Sequence, residues 1–127
     1  MVVAKKVEDY FHSIKYISEI GVKTEKYKSE AVADILGTQA SFSILRDYKE
    51  PDYEKFFRSY YGVNAVVWES EEQLKNIFLF DSHPPEFIRY NVSVQMDDTI
   101  YDVFGIKEGD GMYLAPEERI YIFGPKS

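Results

Sequence analysis

Residues 87–96, Phe-Ile-Arg-Tyr-Asn-Val-Ser-Val-Gln-Met, carry the pattern that most constrains the fold. From Ile88 onward the chain alternates. Ile88, Tyr90, Val92, Val94 and Met96 fall on one side, and Arg89, Asn91, Ser93 and Gln95 on the other. A period of two is the pleat of a strand with one buried face and one wet face. The pattern predicts a central strand at 88–96, with the N-terminal half packed as helices on its apolar side. Alternation would bury Val92 and Val94 and leave Ser93 and Gln95 exposed.

The flanking chain reads as alternating helices and short strands. Val7, Tyr10, Phe11, Ile14 and Ile17 recur at helical spacing and predict a helix over 4–20, stopped by Gly21. A second helix starts near Thr24 and ends at Gly37, and Ala40, Phe42 and Ile44 then suggest a strand. Pro51 introduces a third helix carrying Tyr53, Phe56, Phe57, Tyr60 and Tyr61. Residues 63–68 read as a buried strand, and Ser70-Glu-Glu-Gln73 as a capping box. Residues 77–80 fit helix or strand equally. His83-Pro-Pro-Glu86 reads as a rigid loop, because each proline restrains itself and its predecessor. Thr99 opens a short helix ended by Gly105, and 112–115 with 120–123 suggest a hairpin.

Composition removes several chemistries. There is no cysteine, which leaves no disulfide, thiolate metal site or cysteine nucleophile, and His12 and His83 are the only imidazoles. No cofactor or metal site is expected, although carboxylates alone could hold a hard cation. No apolar run approaches the roughly 20 residues of a membrane span, and the N-terminus has the wrong charge order for a secretory signal. A cytoplasmic protein is the expectation. The net charge of −7 is uneven: residues 69–118 hold twelve acids against Lys75, Arg89 and Lys107, a balance of −9. Phosphate neutralisation requires the opposite sign, so nucleic acid is not an expected partner. Aromatic residues make up 17% of the chain, with eleven tyrosines, enough to suggest that some rings serve a surface.

Two stretches resemble known families. Val92-Ser-Val94, Ile100 to Ile106, Glu108-Gly-Asp110, Met112-Tyr-Leu114 and Arg119-Ile-Tyr-Ile122 resemble the swapped-hairpin DNA-binding module of AbrB-like and MazE-like proteins. That resemblance implies a regulator, but Asp97 and Asp98 stand where its DNA-contacting cations would be. Asn91 to Asp102 resembles the strand-turn-strand that carries His and Asp in papain-like folds, and Ala40 then occupies the position of the cysteine nucleophile. This second resemblance implies a degenerate or inactivated hydrolase, since a thiolate–imidazole pair is what that chemistry needs.

These readings lead to a single α+β domain over residues 1–127. N-terminal helices would pack on a mainly antiparallel sheet of about five strands. The leading function is a small cytosolic inhibitor, of the immunity-protein or phage type, that masks a basic protein partner. Its binding surface is expected at Asp47, Tyr48, Asp52, Tyr53, Tyr60, Trp68, Glu69, Glu71 and Glu72, where acids and tyrosines concentrate. A second copy of the chain is the other partner considered. No catalytic residues are assigned.

Overall fold

A computed structural model describes residues 2–62 and 70–123. Among these residues every regular element is helical. The α-helices are α1 (Val2–Ser13), α2 (Lys15–Ile20), α3 (Lys28–Arg46), α4 (Tyr53–Gly62), α5 (Glu71–Phe80), α6 (Glu86–Gln95) and α7 (Thr99–Phe104). Short 3-10 turns lie at Thr24–Tyr27 and Pro116–Glu118. The expected α+β architecture is thus corrected: the fold is helical, and no strand or sheet occurs among the described residues. The strand expected at 63–68 lies outside them.

The correction turns on residues 87–96, which form α6. Val92, Ser93 and Val94 are all buried, Ser93 as fully as Val94 at 1% exposure. A strand with one wet face cannot bury three consecutive side chains, whereas a helix enclosed on several sides can. The Ser93 hydroxyl donates to the Arg89 carbonyl one turn back at 2.6 Å, which satisfies the polar group in the core. Pro85 starts the helix. Its carbonyl accepts from Ile88 and Arg89 N–H at 3.0 and 3.1 Å. Pro85 has no N–H of its own to satisfy there, and Glu86 in the first turn complements the helix dipole.

A parallel error concerned Gly37. It was expected to end a helix before a strand at 40–45, but α3 runs straight through it to Arg46. The buried positions Ala31, Ile35, Thr38, Gln39 and Phe42 continue one helical stripe across the glycine. The packing of that stripe outweighs the small propensity cost of one glycine. Other expectations hold. Gly21 caps α2 in the left-handed region at φ 78°, its N–H reaching the Ile17 and Ser18 carbonyls. Gly105, at φ 63°, ends α7. Ser70 accepts from Gln73 N–H at 3.1 Å, the capping box that opens α5, and 77–80 belong to that helix. The helix expected over 4–20 is broken at Ile14, whose ψ of 115° is extended.

Helices α1, α3 and α6 pack together around Phe11, Tyr27, Ile35, Phe42, Val94 and Met96. The hairpin expected at 112–123 is absent; a side chain ties that segment down. The buried Gln39 amide donates to the Ile120 carbonyl at 2.8 Å and the Met96 carbonyl at 3.3 Å, and accepts from Ile122 N–H at 3.0 Å. Arg119 lies over the Tyr101 ring, 3.4 Å from its centroid, and donates to Asp98.

Candidate active site

The segment from Asp81 to Pro85 joins α5 to α6 and is held at both ends. Upstream, the α5 carbonyls are capped by side chains from the 3-10 turn. Tyr27 donates to Phe78 O at 2.8 Å, and Lys26 donates to Phe78 O and Leu79 O at 2.8 and 3.1 Å. Downstream, Pro84 and Pro85 are both buried. His83 projects from this fixed loop and remains half exposed.

Asp81 orients the imidazole. Its Oδ1 accepts from the His83 backbone N–H at 2.8 Å and lies 2.9 Å from His83 Nδ1. These contacts hold the Asp81 carboxyl below the usual carboxylate range, the backbone bond contributing most. With Nδ1 donating to Asp81, Nε2 is left as the reactive nitrogen. It faces Glu30 of α3, 3.9 Å from Oε2. Ser82 Oγ also lies near Nδ1, at 3.3 Å. Since Ser82 and Asp81 share one ring nitrogen, they do not form a nucleophile–base–acid relay, which needs both nitrogens.

Glu30 links this histidine to a second group. Arg89, in the first half of α6, binds Asp34 in the two-pronged mode, Nε to Oδ2 at 2.7 Å and Nη2 to Oδ1 at 2.8 Å. The same Nη2 reaches Glu30 Oε2 at 3.3 Å. The Asp34 carboxylate raises the Arg89 pKa further, so the guanidinium is a permanent charge. Glu30 and Asp34 are one helical turn apart on α3, which presents both carboxylates along one line. Beside the loop lies a cleft of about 740 Å³ whose walls include Asn76, Ile77, Phe80, Asp81 and Ser82. Phe80 on its edge is 83% exposed. The cleft reaches this loop through Asp81 and Ser82, whereas His83, Glu30, Asp34 and Arg89 are not among its lining residues. Asp81, His83 and Glu30 are the nearby metal-capable side chains, and among the described residues no group of three or more converges on a cation site.

The described residues among those expected to form a binding surface lie in the α3–α4 connection, on α4 and at the start of α5. Asp47 and Tyr48 lie exposed after α3, and Asp52 N-caps α4 by accepting from Lys55 N–H at 2.9 Å. Tyr53 and Tyr60 pack partly against the core, and the Tyr60 hydroxyl lies 2.8 Å from Thr38 Oγ1. Glu71 and Glu72 occupy the exposed first turn of α5, where they favour its dipole. Trp68 and Glu69 lie outside the described residues. Ala40, read as a replaced nucleophile, sits within α3, and the supposed strand-turn-strand of 91–102 is the junction of α6 and α7.

The oriented histidine and the clamped arginine lie on a helical scaffold, and comparison with known proteins supplies the family. The sequence model of peptidase family M13 matches residues 2–120, nearly the whole chain. This chain belongs to peptidase family M13. The neutral endopeptidase of Lactococcus lactis subsp. cremoris is 34% identical over 98 residues, covering 75% of this chain and 15% of that protein. The neutral endopeptidase of Lactococcus lactis subsp. lactis (strain IL1403) is 33% identical over the same shares. That of Lactobacillus helveticus is 29% identical over 118 residues, 91% of this chain and 17% of the relative. The chain therefore spans about one sixth of the length of these relatives. No solved structure matches it.

Family membership overturns the inhibitor reading and with it the immunity-protein and phage-type assignments, the degenerate papain-like alternative and the swapped-hairpin regulator. The basic partner to be masked falls with them. The sequence reading missed Glu30, Asp34, Asp81, His83 and Arg89. Two signals were available: acids four apart on a predicted helix, and a histidine two residues after an aspartate and ahead of two prolines.

Proposed function

We propose that this chain contributes part of the hydrolytic site of a peptidase, with His83 as the residue that exchanges a proton with the peptide bond or stabilises the oxygen that gains charge. The observation that carries the proposal is the seating of His83, with Asp81 on Nδ1 and Glu30 facing Nε2 beside the Arg89–Asp34 pair. A neutral His83 can accept a proton at Nε2, and its protonated form can donate there. Asp81 fixes the orientation of the ring. Glu30 and Asp34 keep Arg89 from folding onto the loop, so its charge contributes as a field of fixed direction. The cleft beside Phe80 is the place for the peptide, and the exposed ring would pack against its side chains.

Hydrolysis also needs a group that activates water. In this reading that group belongs to the larger part of the M13 polypeptide, since the chain spans about one sixth of its relatives. The test is His83→Ala, with the protein purified from the cells that make it so that any associated polypeptide is retained. Peptide hydrolysis should fall by about a hundredfold or more, the usual range for a general acid or base, while the melting temperature stays within a degree or two. Undiminished hydrolysis by a folded His83→Ala protein would remove the proposal.

A further inference from the structure

We propose that Lys26 and Tyr27, on the 3-10 turn ahead of α3, are positioning residues that fix the His83 ring through the end of α5. The inference deepens the peptidase reading above and rests on it. The helical ladder of α5 closes with Asp81 N–H on the Ile77 carbonyl at 3.0 Å. A further turn of helix would give the Phe78 and Leu79 carbonyls to the amides of Ser82 and His83. Side chains take both instead. Tyr27 and Lys26 each donate to Phe78 O at 2.8 Å, and Lys26 donates to Leu79 O at 3.1 Å. The His83 amide is thereby left to Asp81 Oδ1, the same oxygen that holds Nδ1 of the ring. Pro84 disfavours helical backbone at His83, and the two side chains satisfy the carbonyls that the stop exposes.

Two features make this clamp more than a helix cap. The first is how little else fixes α5, in which Phe78 is the one buried side chain. Tyr27 is itself fully buried, so its hydroxyl is a fixed point for the helix end to rest on. Burial pushes that phenol up to about 12, which keeps it a donor at neutral pH. Burial lowers the Lys26 pKa, and the nearby Asp81 carboxylate opposes the shift. The second feature is continuity. The backbone passes from Tyr27 directly into α3, and Glu30, which faces His83 Nε2 at 3.9 Å, lies less than one turn further on. One short stretch, residues 26–30, therefore grips the helix that delivers Asp81 and His83 and also carries the carboxylate opposite the ring. It sets the separation of the two walls between which the imidazole sits. Lys26 and Tyr27 act through α5 and Asp81, not on the peptide.

The experiment combines peptide-hydrolysis kinetics with NMR of the histidine rings, on protein purified from the cells that make it and carrying isotope-labelled histidine. Lys26→Met keeps the stem and removes the donors. Its kcat should fall about tenfold, the scale of a slightly misplaced catalytic group, with KM changed by less than about twofold. The His83 ring signals should shift or broaden while those of His12, on α1, stay in place. Lys26→Arg, which can serve both carbonyls, should restore most of the rate and the original ring signals. Tyr27→Phe removes one hydroxyl alone and should move the same signals with a smaller loss of kcat. It takes the place of Lys26→Met if that variant fails a circular-dichroism melt. Unmoved His83 signals in the folded variant overturn the inference whatever its rate, and so does an equal loss in Lys26→Arg. Moved signals with an unchanged kcat, in a protein that needs His83, overturn it too. His83→Ala in the same preparation separates this inference from the one it rests on. If the Lys26→Met signals move and His83→Ala leaves hydrolysis intact, the positioning stands and the role of His83 fails. If His83→Ala abolishes hydrolysis while Lys26→Met alters neither signals nor kcat, the role of His83 stands and the positioning fails.

Discussion

The two ends of α6 are built from similar residue types and put them to different uses. At the C-terminal end, Asp97 is 2% exposed, and every contact it makes is internal. It accepts from Thr99 N–H at 3.0 Å, from Thr99 Oγ1 at 2.6 Å and from Arg46 at 3.3 Å. Gln39 is likewise buried and spends its amide on three backbone groups. At the N-terminal end, Asp81, His83 and Glu30 are each 42–50% exposed and keep bonding capacity directed outward. Buried polar groups with complete partner sets specify a structure, while oriented polar groups with a free side can act on something else. That contrast, more than residue identity, separates scaffold from site in this chain.

The contrast is broken most forcefully between the two ends, where α6 is fully enclosed. Val94 is 1% exposed. Val94→Asp should cost on the order of 4 kcal/mol or more as an unpaired buried charge, a large share of a domain's typical stability. Chemical denaturation should show little or no folded protein. This outcome is expected for a helix as it was for a strand, so it tests burial alone. Ser93 discriminates the two: Ser93→Lys should also destabilise severely, whereas on the wet face of a strand it would be neutral.

Asp97→Ala should cost about 2–4 kcal/mol, because it strands the Thr99 N–H and leaves Arg46 without its carboxylate. At the other end Asp34→Ala removes a two-pronged partner from Arg89, but both groups are partly solvated. The stability cost there should be about 1 kcal/mol. Hydrolysis, however, should fall roughly tenfold as Arg89 loses its fixed direction, about 1.4 kcal/mol in barrier terms. Denaturation midpoints and hydrolysis rates on both variants sharpen the comparison. An Asp34→Ala protein that is as destabilised as Asp97→Ala would place Arg89 among scaffold residues.

Legibility in the sequence followed the same division. Local signals read correctly where a terminus is fixed by its own residues, as at Gly21, Ser70 with Gln73, and Gly105. They failed where tertiary packing decides. Ile, Val and Val at alternate positions of 88–94 suit a pleated strand, but enclosure of α6 on several sides removes the wet face that alternation presupposes. Gly37 looked like a stop because the stripe of Ala31, Ile35, Thr38, Gln39 and Phe42 was cut at the glycine instead of followed across it. The site was illegible for a related cause. With α6 read as a strand, Arg89 belonged to a wet face with no assigned neighbour, and Glu30 and Asp34 belonged to the surface of a separate helix. Only the packing of α3 against α6 brings them together. The function reading failed because acidity and tyrosine content describe a surface without locating it.

The smallest expected effect is also the most discriminating, and it concerns Asp81. Its carboxyl lies below the usual range, chiefly through the His83 backbone N–H and then the ring. A lowered carboxylate contributes stability that is present above its unfolded pKa and is lost as pH falls through its lower folded value. The group is largely solvated, so that contribution is screened. Asp81→Asn should change stability at neutral pH by no more than about 0.5 kcal/mol, and the difference should vanish in strong acid. Activity should respond more than stability. Asparagine can still accept from the backbone N–H, but it is a weaker acceptor for the ring N–H and holds the imidazole less firmly, so hydrolysis should drop severalfold, by less than in His83→Ala. Melting temperatures from pH 7 to 2, with hydrolysis rates on the same proteins, check both arms. If Asp81→Asn costs as much stability as Asp97→Ala, the loop is held together as the far end of α6 is held together. The exposure of its polar groups then has nothing to do with catalysis.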